Sequence, residues 1–325
     1  MLILNQKEVK EIIPLSEIKK VIDCTEKAFF SYAKGKVQMP SKNYLYFHEH
    51  NGDLRIMPAF SQELQMAGTK IVNVHPENPK RGLATVMATI LLNDAETGTP
   101  LAFMDATYIT GMRTGAAGAV AVKYLAKKNS QTLGAIGAGQ QALFQIAAIC
   151  KIKEIKEVFV YDIHQESIDN LARQLEDINI KIKKASLEEA ARQDILVTVT
   201  PSREPIIKKE WIKLGTHINA IGADAKGKEE LDPEILKQGK IVIDDWEQAS
   251  HSGEINVPVS KGIIKKEDIY SSLGEIVSGQ KKGRENDEEI TIFDSTGLAI
   301  QDLFTANFVY NEAKRREMGK KINLI

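Results

Sequence analysis

A GxGxxA pattern at residues 137–142, in the middle of the chain, narrows the possible folds more than any other part of the sequence. The apolar run LGAIG precedes it, and the helix-forming run QQALFQIAAIC follows it. In this context Gly137 permits a tight turn, Gly139 lets phosphates approach the backbone, and the small Ala142 lets the helix pack closely on the strand. The pattern predicts a doubly wound α/β unit that binds a dinucleotide. A turn-forming glycine pair without any nucleotide is the alternative.

The residues after this motif predict a parallel sheet. From about residue 130, short apolar runs such as EVFVYD, DILVTVT and KIVIDD alternate with helix-forming segments, which argues for helices on both faces of the sheet. The second strand ends at Asp162, about where a carboxylate receives the adenosine ribose hydroxyls. A negative charge there repels a 2′-phosphate and favours NAD over NADP. The fourth strand ends near Thr200, which is either a nicotinamide contact or a plain strand-to-loop junction.

The first third of the chain has a different pattern. Its strand-like runs follow one another without intervening helices, at residues 44–47, 54–57, 69–74, 85–92 and 101–103. The first two flank the Asn51-Gly52 turn signal and predict a hairpin. Consecutive strands of this kind predict an antiparallel or mixed sheet. A helix rich in small residues is expected from about residue 110, and an amphipathic helix after Asp294 is expected to return to this first domain.

Composition and charge exclude several classes of protein. Domains usually hold roughly 100–200 residues, so a chain of 325 residues is expected to form two. With 43 basic and 44 acidic side chains and no basic stripe, a nucleic-acid or membrane-surface binder is not expected. Cys24 and Cys150 lack disulfide or zinc spacing, and His48 and His50 lack convergent carboxylates, so no metal is expected. Early charges and the lack of a long apolar run predict a cytoplasmic protein.

Four charged residues are candidates for the chemistry. Asp224 lies just past a buried-looking strand, where open α/β sheets place reacting groups, although an aspartate in a glycine-rich turn is the alternative. Arg55 and Lys70 lie on neighbouring strand candidates among apolar residues. Burying a cation costs free energy unless it meets an anion, so an anionic substrate would explain both; charges on a solvent face are the alternative. Arg113 is suited either to bind a phosphate or to form an ordinary ion pair within the protein.

At these residues the chain resembles the ornithine cyclodeaminase/mu-crystallin family, and within it the archaeal alanine dehydrogenase branch. The resemblance extends from about residue 39 to 302, which is nearly the whole chain. The segments that carry it, in family order, are LRIMPA, Lys70 with VNVHPENP and GLATVMA after it, MDATYITGMRTGAAG, AIGAGQQA, INAIGADAKGKEELD, GEI near Gly253 and FDSTGLAIQD.

The resemblance implies a homodimeric, NAD-dependent enzyme that reversibly converts L-alanine and water into pyruvate and ammonium. It implies an α/β fold in which a Rossmann dinucleotide-binding domain, residues 116–302, is inserted into an α+β substrate-binding and dimerisation domain, residues 1–115 and 303–325. Ornithine cyclodeamination, reduction of a cyclic ketimine and non-catalytic binding in the manner of mu-crystallin are the alternatives. Cyclodeaminases of the family carry glutamate where this chain has Arg55, whose charge would repel the second ammonium of ornithine.

The resemblance also implies roles for single residues. Lys70 corresponds to the catalytic lysine beside the substrate carboxylate and α-nitrogen, Arg55 to a carboxylate-binding arginine, and Asp224 to the acid–base aspartate. Lys226 stands where the family usually has proline, and it is expected to loosen the loop that carries Asp224. The positions implied to line the dinucleotide are Thr85, Arg113, Gly137, Ala138, Gly139, Gln140, Asp162, Thr200, Ala220, Ile221, Gly222, Lys228 and Ser295.

Overall fold

A computed structural model of the protein describes residues 1–178 and 180–323. The chain divides into two compact units: unit 1 comprises Met1–Arg113 and Leu298–Ile325, and unit 2 comprises Thr114–Gly297. The sequence expectation placed the inserted domain at 116–302. Its end differs from that of unit 2 because the C-terminal helix already begins at Ala299, so residues 298–302 group with that helix. Within the described residues, no helix is long and apolar enough to cross a membrane.

Residues 1–105 supply most of the elements of unit 1. They are β1 (Leu2–Leu4), α1 (Gln6–Ile12), α2 (Ile18–Ala33), β2 (Val37–Gln38), β3 (Asn43–Phe47), β4 (Gly52–Ser61), β5 (Met66–Val74), β6 (Val86–Asp94) and β7 (Pro100–Asp105). Helix α3 (Thr107–Leu125) follows, and the division of the chain into units falls within it, after Arg113. The predicted hairpin is confirmed as β3 and β4, whose turn places Asn51 in the left-handed region at a φ of 45°. Asparagine tolerates that conformation better than most residues do.

Unit 2 alternates strands with helices, as predicted. Its elements are β8 (Thr132–Ile136), α4 (Gln140–Ile152), β9 (Glu157–Tyr161), α5 (Gln165–Gln174), β10 (Lys181–Lys184), α6 (Leu187–Ala191), β11 (Ile195–Thr198), β12 (His217–Ala220), α7 (Pro233–Gln238), β13 (Lys240–Ile243), α8 (Trp246–Ser252), α9 (Asn256–Ser260), β14 (Ile269–Ser272), α10 (Leu273–Val277) and β15 (Thr291–Asp294).

All strand pairs of the unit 2 sheet are parallel, in the order β10-β9-β8-β11-β12-β15-β13-β14. The inner strands β8, β11, β12, β13 and β15 are almost entirely buried, as expected when helices cover both faces, whereas the edge strand β10 has no buried residue. Strand order reverses between β8 and β11, and at such a switch point the loops at the carboxyl ends of the strands diverge and leave a crevice for a ligand. The predicted Rossmann fold is therefore confirmed.

The C-terminal segment completes unit 1 with α11 (Ala299–Arg315) and β16 (Lys320–Lys321). The unit 1 sheet has the order β16-β1-β7-β6-β5-β4-β2, with β3 also paired to β4. It is mixed, as predicted, because β1 runs parallel to β7 while the remaining pairs are antiparallel. Helix α11 packs on α2 and on β4, β5 and β6, so it covers one face of the sheet.

The opposite face of this sheet carries exposed apolar side chains. Side chains alternate between the faces of a strand, and the pairing registers place four large apolar residues together on the side away from α11. Each of them is at least 38% exposed. We call this surface the open sheet face; its residues are Leu45, Ile71, Met87 and Phe103.

Candidate active site

Arg55 and Lys70 lie on the buried face of the unit 1 sheet. Strand pairing sets Arg55 opposite Val72 and Met57 opposite Lys70. The two cations are therefore diagonal neighbours on one face, at a typical separation of about 7–8 Å. Lys70 is 1% exposed and Arg55 is 7% exposed. Burial excludes the alternative that they are charges on a solvent face.

Lys70 is paired with Asp302 of α11. The Nζ atom of Lys70 lies 2.8 Å from Oδ2 of Asp302, and it also donates to Oγ1 of Thr110 at 3.4 Å. The other carboxylate oxygen of Asp302 accepts a hydrogen bond from Nε of Arg113 at 3.0 Å. Arg113 donates a further hydrogen bond to Oε1 of Gln301 at 3.0 Å. One buried carboxylate is thus shared by two buried cations.

This environment changes the acidity of Lys70. Burial lowers the pKa of Lys70 from 10.5 to about 7, the nearby Arg113 lowers it as well, and Asp302 opposes both effects. The loss of water is the largest of these causes. The amine and the ammonium forms are consequently both populated near neutral pH, which is the condition for a residue that exchanges a proton in a reaction.

Arg55 is oriented by Asp53, two residues earlier on β4. Nε of Arg55 donates to Oδ1 of Asp53 at 2.7 Å, and Nη2 donates to Oδ2 at 3.2 Å. The guanidinium also lies over the ring of Tyr44, 5.5 Å from its centroid. A guanidinium has five N–H donors in a rigid fork, so a side chain held in this way can bind a further carboxylate in a fixed direction.

Sequence reasoning missed both acidic partners. The sequence does contain a signal for Asp53. It lies two residues before the candidate Arg55, and residues i and i+2 of a strand share a face. Asp302 closes the segment FDSTGLAIQD, yet its contact with Lys70 joins residues far apart in the chain, and spacing alone does not reveal such a pair.

In unit 2 the glycine-rich loop has the geometry of a phosphate site. Gly137 has a φ of 98°, which favours glycine, and α4 starts directly after Gly139. A Cβ atom built on Gly139 would meet no atom within 4 Å, so the backbone is open to a ligand there. The N–H groups in the first turn of a helix have no partner within the helix and suit a phosphate. The residues present therefore fit a dinucleotide.

Asp162 supports this loop directly. Its Oδ2 accepts the N–H of Ala138 at 2.7 Å, and its Oδ1 accepts the N–H of His164 at 2.7 Å. Each carboxylate oxygen has a second lone pair, so the side chain retains the capacity to accept hydrogen bonds from ribose hydroxyls. The same carboxylate that is predicted to select the cofactor also fixes the shape of the loop.

The carboxyl ends of the adjacent strands β11 and β12 are joined by Glu230. One oxygen of this buried carboxyl accepts both the N–H and the hydroxyl of Thr200 at 2.7 Å, and the other accepts the N–H of Gly222 at 3.1 Å. Burial raises the pKa of Glu230. These hydrogen bonds fix the position of the Thr200 side chain at the end of β11. Ser295 adjoins this edge, since its N–H donates to the carbonyl of Ala220 at 3.1 Å.

Asp224 follows β12 and forms an ion pair with Lys228, whose Nζ lies 2.6 Å from its Oδ1. The Asp224 side chain is 35% exposed and the Lys228 side chain is 19% exposed, so a small molecule can reach both. Of the residues predicted to line the dinucleotide, Thr85 and Arg113 lie in unit 1 and the others in unit 2. Thr85 precedes β6, and its carbonyl accepts the N–H of His75 at 2.8 Å.

The two predicted loop histidines, His48 and His50, lie in the exposed turn between β3 and β4. Over residues 1–178 and 180–323, no group of three or more His, Cys, Asp or Glu side chains could hold a metal ion.

A Rossmann unit with a glycine-rich phosphate loop, carried in one chain with a sheet that buries a lysine and an arginine, defines the class of this protein. The chain belongs to the ornithine cyclodeaminase/mu-crystallin family, whose family model matches residues 2–317. The resemblance inferred from the sequence is thereby confirmed.

Individual relatives are similar over their whole length. The chain is 54% identical to alanine dehydrogenase from Archaeoglobus fulgidus, over 99% of this chain and 98% of that protein. The solved structure of an archaeal alanine dehydrogenase dimer with bound NAD superimposes with a TM-score of 0.95 at 54% identity, covering 100% of this chain and 99% of that one. Delta(1)-pyrroline-2-carboxylate reductase from Thermococcus litoralis, solved with NADH and L-proline, has a TM-score of 0.95 at 41% identity and coverages of 99% and 100%.

Proposed function

We propose that this protein is an NAD-dependent L-alanine dehydrogenase, which reversibly converts L-alanine and water into pyruvate and ammonium. The observation that carries the proposal is the buried Lys70, with a pKa of about 7, on the same sheet face as Arg55. Such a pair suits a small molecule that brings one carboxylate and one titratable nitrogen. The relative from Archaeoglobus fulgidus, at 54% identity, supports alanine as that molecule.

The cofactor is proposed to be NAD. The glycine-rich loop at residues 137–140 and the N-terminus of α4 would hold its phosphates, Asp162 its adenosine ribose, and Thr200 and Ser295 its nicotinamide side. When bound, NAD⁺ accepts a hydride from the α-carbon of the amino acid. Hydride transfer requires reacting carbons about 3–3.5 Å apart, so the groups that orient the substrate are as important as those that exchange protons.

Lys70 is proposed to accept a proton from the ammonium of alanine. Its lowered pKa makes the neutral amine available at neutral pH. Removing this proton gives alanine a nitrogen lone pair, which forms the C=N bond of the iminium as the hydride leaves. Lys70 then carries the proton as an ammonium, which pairs with the substrate carboxylate. Arg55 is proposed to bind the same carboxylate, and its fork is held in place by Asp53.

Asp224 is proposed to act in the hydrolytic half of the reaction. Its carboxylate takes a proton from the water that attacks the iminium carbon, which yields the carbinolamine. Asp224 then returns its proton to the nitrogen and takes the proton of the carbinolamine hydroxyl, so the carbonyl of pyruvate forms as the carbon–nitrogen bond breaks. The released ammonia takes up this proton and leaves as ammonium. Lys228, 2.6 Å away, stabilises the charged form of Asp224 before it accepts the proton.

Reduction of a cyclic ketimine is the second candidate function. It is favoured by one observation, the 41% identity to the Thermococcus litoralis reductase solved with NADH and L-proline. In this reaction a hydride is transferred to the carbon of a C=N bond that lies beside a carboxylate. It is the reverse of the hydride step described above. Ornithine cyclodeamination fits less well, because Arg55 would face the second ammonium group of ornithine.

The active form is proposed to be a homodimer. The similar archaeal enzyme is described as a dimer. The open sheet face presents large apolar side chains to water, and a patch of this kind is typical of a surface that associates. A second copy of the chain is the occupant that the relative suggests.

The assignment of roles is tested with Lys70→Ala and Asp224→Ala. Each variant is expected to remain folded and to bind NADH, yet to lose alanine turnover by roughly 10²–10⁴-fold, the usual scale for a positioned acid–base group. Turnover is measured from NADH formation, and NADH binding from fluorescence. Near-normal turnover in either variant would remove that residue from the mechanism.

A further inference from the structure

The loop that carries Asp224, residues 221–231, is held in place by buried side chains that have no role in the function proposed so far. The first is Asn256, at the start of α9, which is 5% exposed. The second is Glu254, which is 1% exposed. Both belong to the segment Gly253–Asn256, whose GEI residues carry part of the family resemblance.

Asn256 forms hydrogen bonds with the backbone of two consecutive residues in the middle of the loop, Gly227 and Lys228. Its Oδ1 accepts the N–H of Gly227 at 2.9 Å, and its Nδ2 donates to the carbonyl of Lys228 at 2.7 Å. The second proton of Nδ2 is donated to the carbonyl of Gly253 at 2.6 Å. Gly227 has a φ of 80°, a turn conformation that favours glycine. The carboxamide thus fixes this turn with its acceptor and one donor, while its other donor ties it to Gly253.

The two ends of the loop are fixed by carboxyl groups. Glu230 binds the N–H of Gly222 at the start of the loop. At its end, Oε1 of Glu254 accepts the N–H groups of Glu230 and Leu231 at 2.8 and 2.7 Å. With both ends already tied, the turn at residues 227 and 228 is the part of the loop whose position depends on Asn256.

The conformation of that turn sets the position of the Lys228 backbone. The side chain of Lys228 forms the ion pair with Asp224. Lys226 lies in the same turn, at the position where the resemblance predicts proline. Asn256 holds the two residues that follow Lys226, so the loop has a restraint that does not depend on proline.

We propose that Asn256 is a positioning residue for the reaction: it holds the peptide between Gly227 and Lys228 so that Lys228 and Asp224 are presented together at the carboxyl end of β12. This inference rests on the proposed role of Asp224. Asn256 itself touches neither substrate nor cofactor in this account, and its effect on the chemistry is exerted through the loop.

The test compares Asn256→Ala with Asn286→Ala in the full-length protein. Asn286 also binds the backbone of a turn in unit 2, but a different one, where its Oδ1 accepts the N–H groups of Glu288 and Glu289. Asn256→Ala is expected to lower kcat for alanine oxidation by roughly 10–100-fold, because misplacing a reacting group by about 1 Å can cost 10²-fold. The KM for alanine should stay within about twofold, and Asn286→Ala should leave both kcat and KM unchanged.

Amide hydrogen exchange supplies a readout that does not depend on turnover. In Asn256→Ala the exchange of residues 222–231 should accelerate, while that of β8 and β9 stays as in the wild type. Accelerated exchange with an unchanged kcat would overturn the positioning role, and unchanged exchange would overturn the restraint itself. If the wild type oxidises no alanine, the proposed function fails, and the exchange experiment still decides whether Asn256 holds the loop.

A variant that does not fold is replaced by Asn256→Ser, which retains one donor and one acceptor on a shorter side chain. Asn256→Ser is expected to lower kcat by less than Asn256→Ala does, again with little change in the KM for alanine. A rise in the KM for alanine as large as the loss of kcat in this variant would indicate a general structural defect and would contradict the proposal.

Discussion

Nζ of Lys70 lies 2.8 Å from Oδ2 of Asp302, and both side chains are almost completely buried, at 1% and 0% exposure. An ion pair usually favours the charged form of a lysine, yet the pKa of Lys70 is lowered to about 7. The loss of water outweighs the attraction of Asp302, and Arg113, which shares the same carboxylate, adds repulsion. The pair therefore holds Lys70 where it can both accept and return a proton.

Asp302→Asn should move the pH dependence of alanine oxidation to lower pH. Asp302 raises the pKa of Lys70, so its neutral replacement should take that pKa below about 7. The neutral amine, which is proposed to accept the alanine proton, is present above the pKa of Lys70. We therefore expect kcat/KM to rise through that pH, and the rise to begin at a lower pH in the variant. The measurement is kcat/KM for alanine from pH 5 to 9 at saturating NAD⁺.

Thr110→Val is the matched control for this variant. It removes the other group bonded to Lys70 Nζ without changing a charge, so the rise should stay near its wild-type position. If kcat/KM of Asp302→Asn rises at the same pH as in the wild type, or at a higher pH, the proton-accepting role of Lys70 is contradicted.

Asp162→Ser should narrow the preference for NAD over NADP by one or more orders of magnitude. The carboxylate opposes an added 2′-phosphate, and each tenfold change corresponds to about 1.4 kcal/mol. Activity with NAD should also fall, because Asp162 holds the N–H of Ala138 in the glycine-rich loop. The quantity to measure is the ratio of kcat/KM for the two cofactors, with the exposed Asp169→Ser as control. Equal use of both cofactors by the wild type would refute the role of Asp162.

The sequence predicted those features that depend on local patterns. The motif at residues 137–142 lies between a strand and a helix, and that local order is sufficient to identify a Rossmann unit. Consecutive strands separated by turns likewise indicated the mixed sheet of unit 1. Arg55 and Lys70 were found because a charge within an apolar strand is costly unless it is paired.

The remaining features depend on contacts between distant parts of the chain. Glu230, Glu254 and Asn256 are polar residues in short loops, and nothing in their spacing indicates that they bind the backbone near Asp224. Asp302 lies in the first turn of α11, where an acidic residue is common for reasons of helix electrostatics alone. A single sequence gives no distances between residues that are far apart in the chain, so the contacts of these residues are found only in the folded structure.

Ile71→Asp should convert the proposed dimer into monomers. Ile71 lies on the open sheet face, and a carboxylate there would have to be desolvated when two copies associate, which costs several kcal/mol. Light scattering combined with size-exclusion chromatography gives the mass directly. Ile163→Asp is the control, since Ile163 is 78% exposed in unit 2 and lies outside this face. A dimer that survives in Ile71→Asp would place the interface elsewhere.

The central claim, that this chain oxidises alanine, is tested most directly by initial rates of the wild-type protein with single substrates. NADH absorbance is followed with L-alanine and NAD⁺, NADH consumption with Δ1-pyrroline-2-carboxylate, and proline formation with L-ornithine. We expect the highest kcat/KM for alanine and little or no proline from ornithine, because Arg55 is proposed to repel the second ammonium. Ornithine or the cyclic imine turned over at least as efficiently as alanine would contradict it.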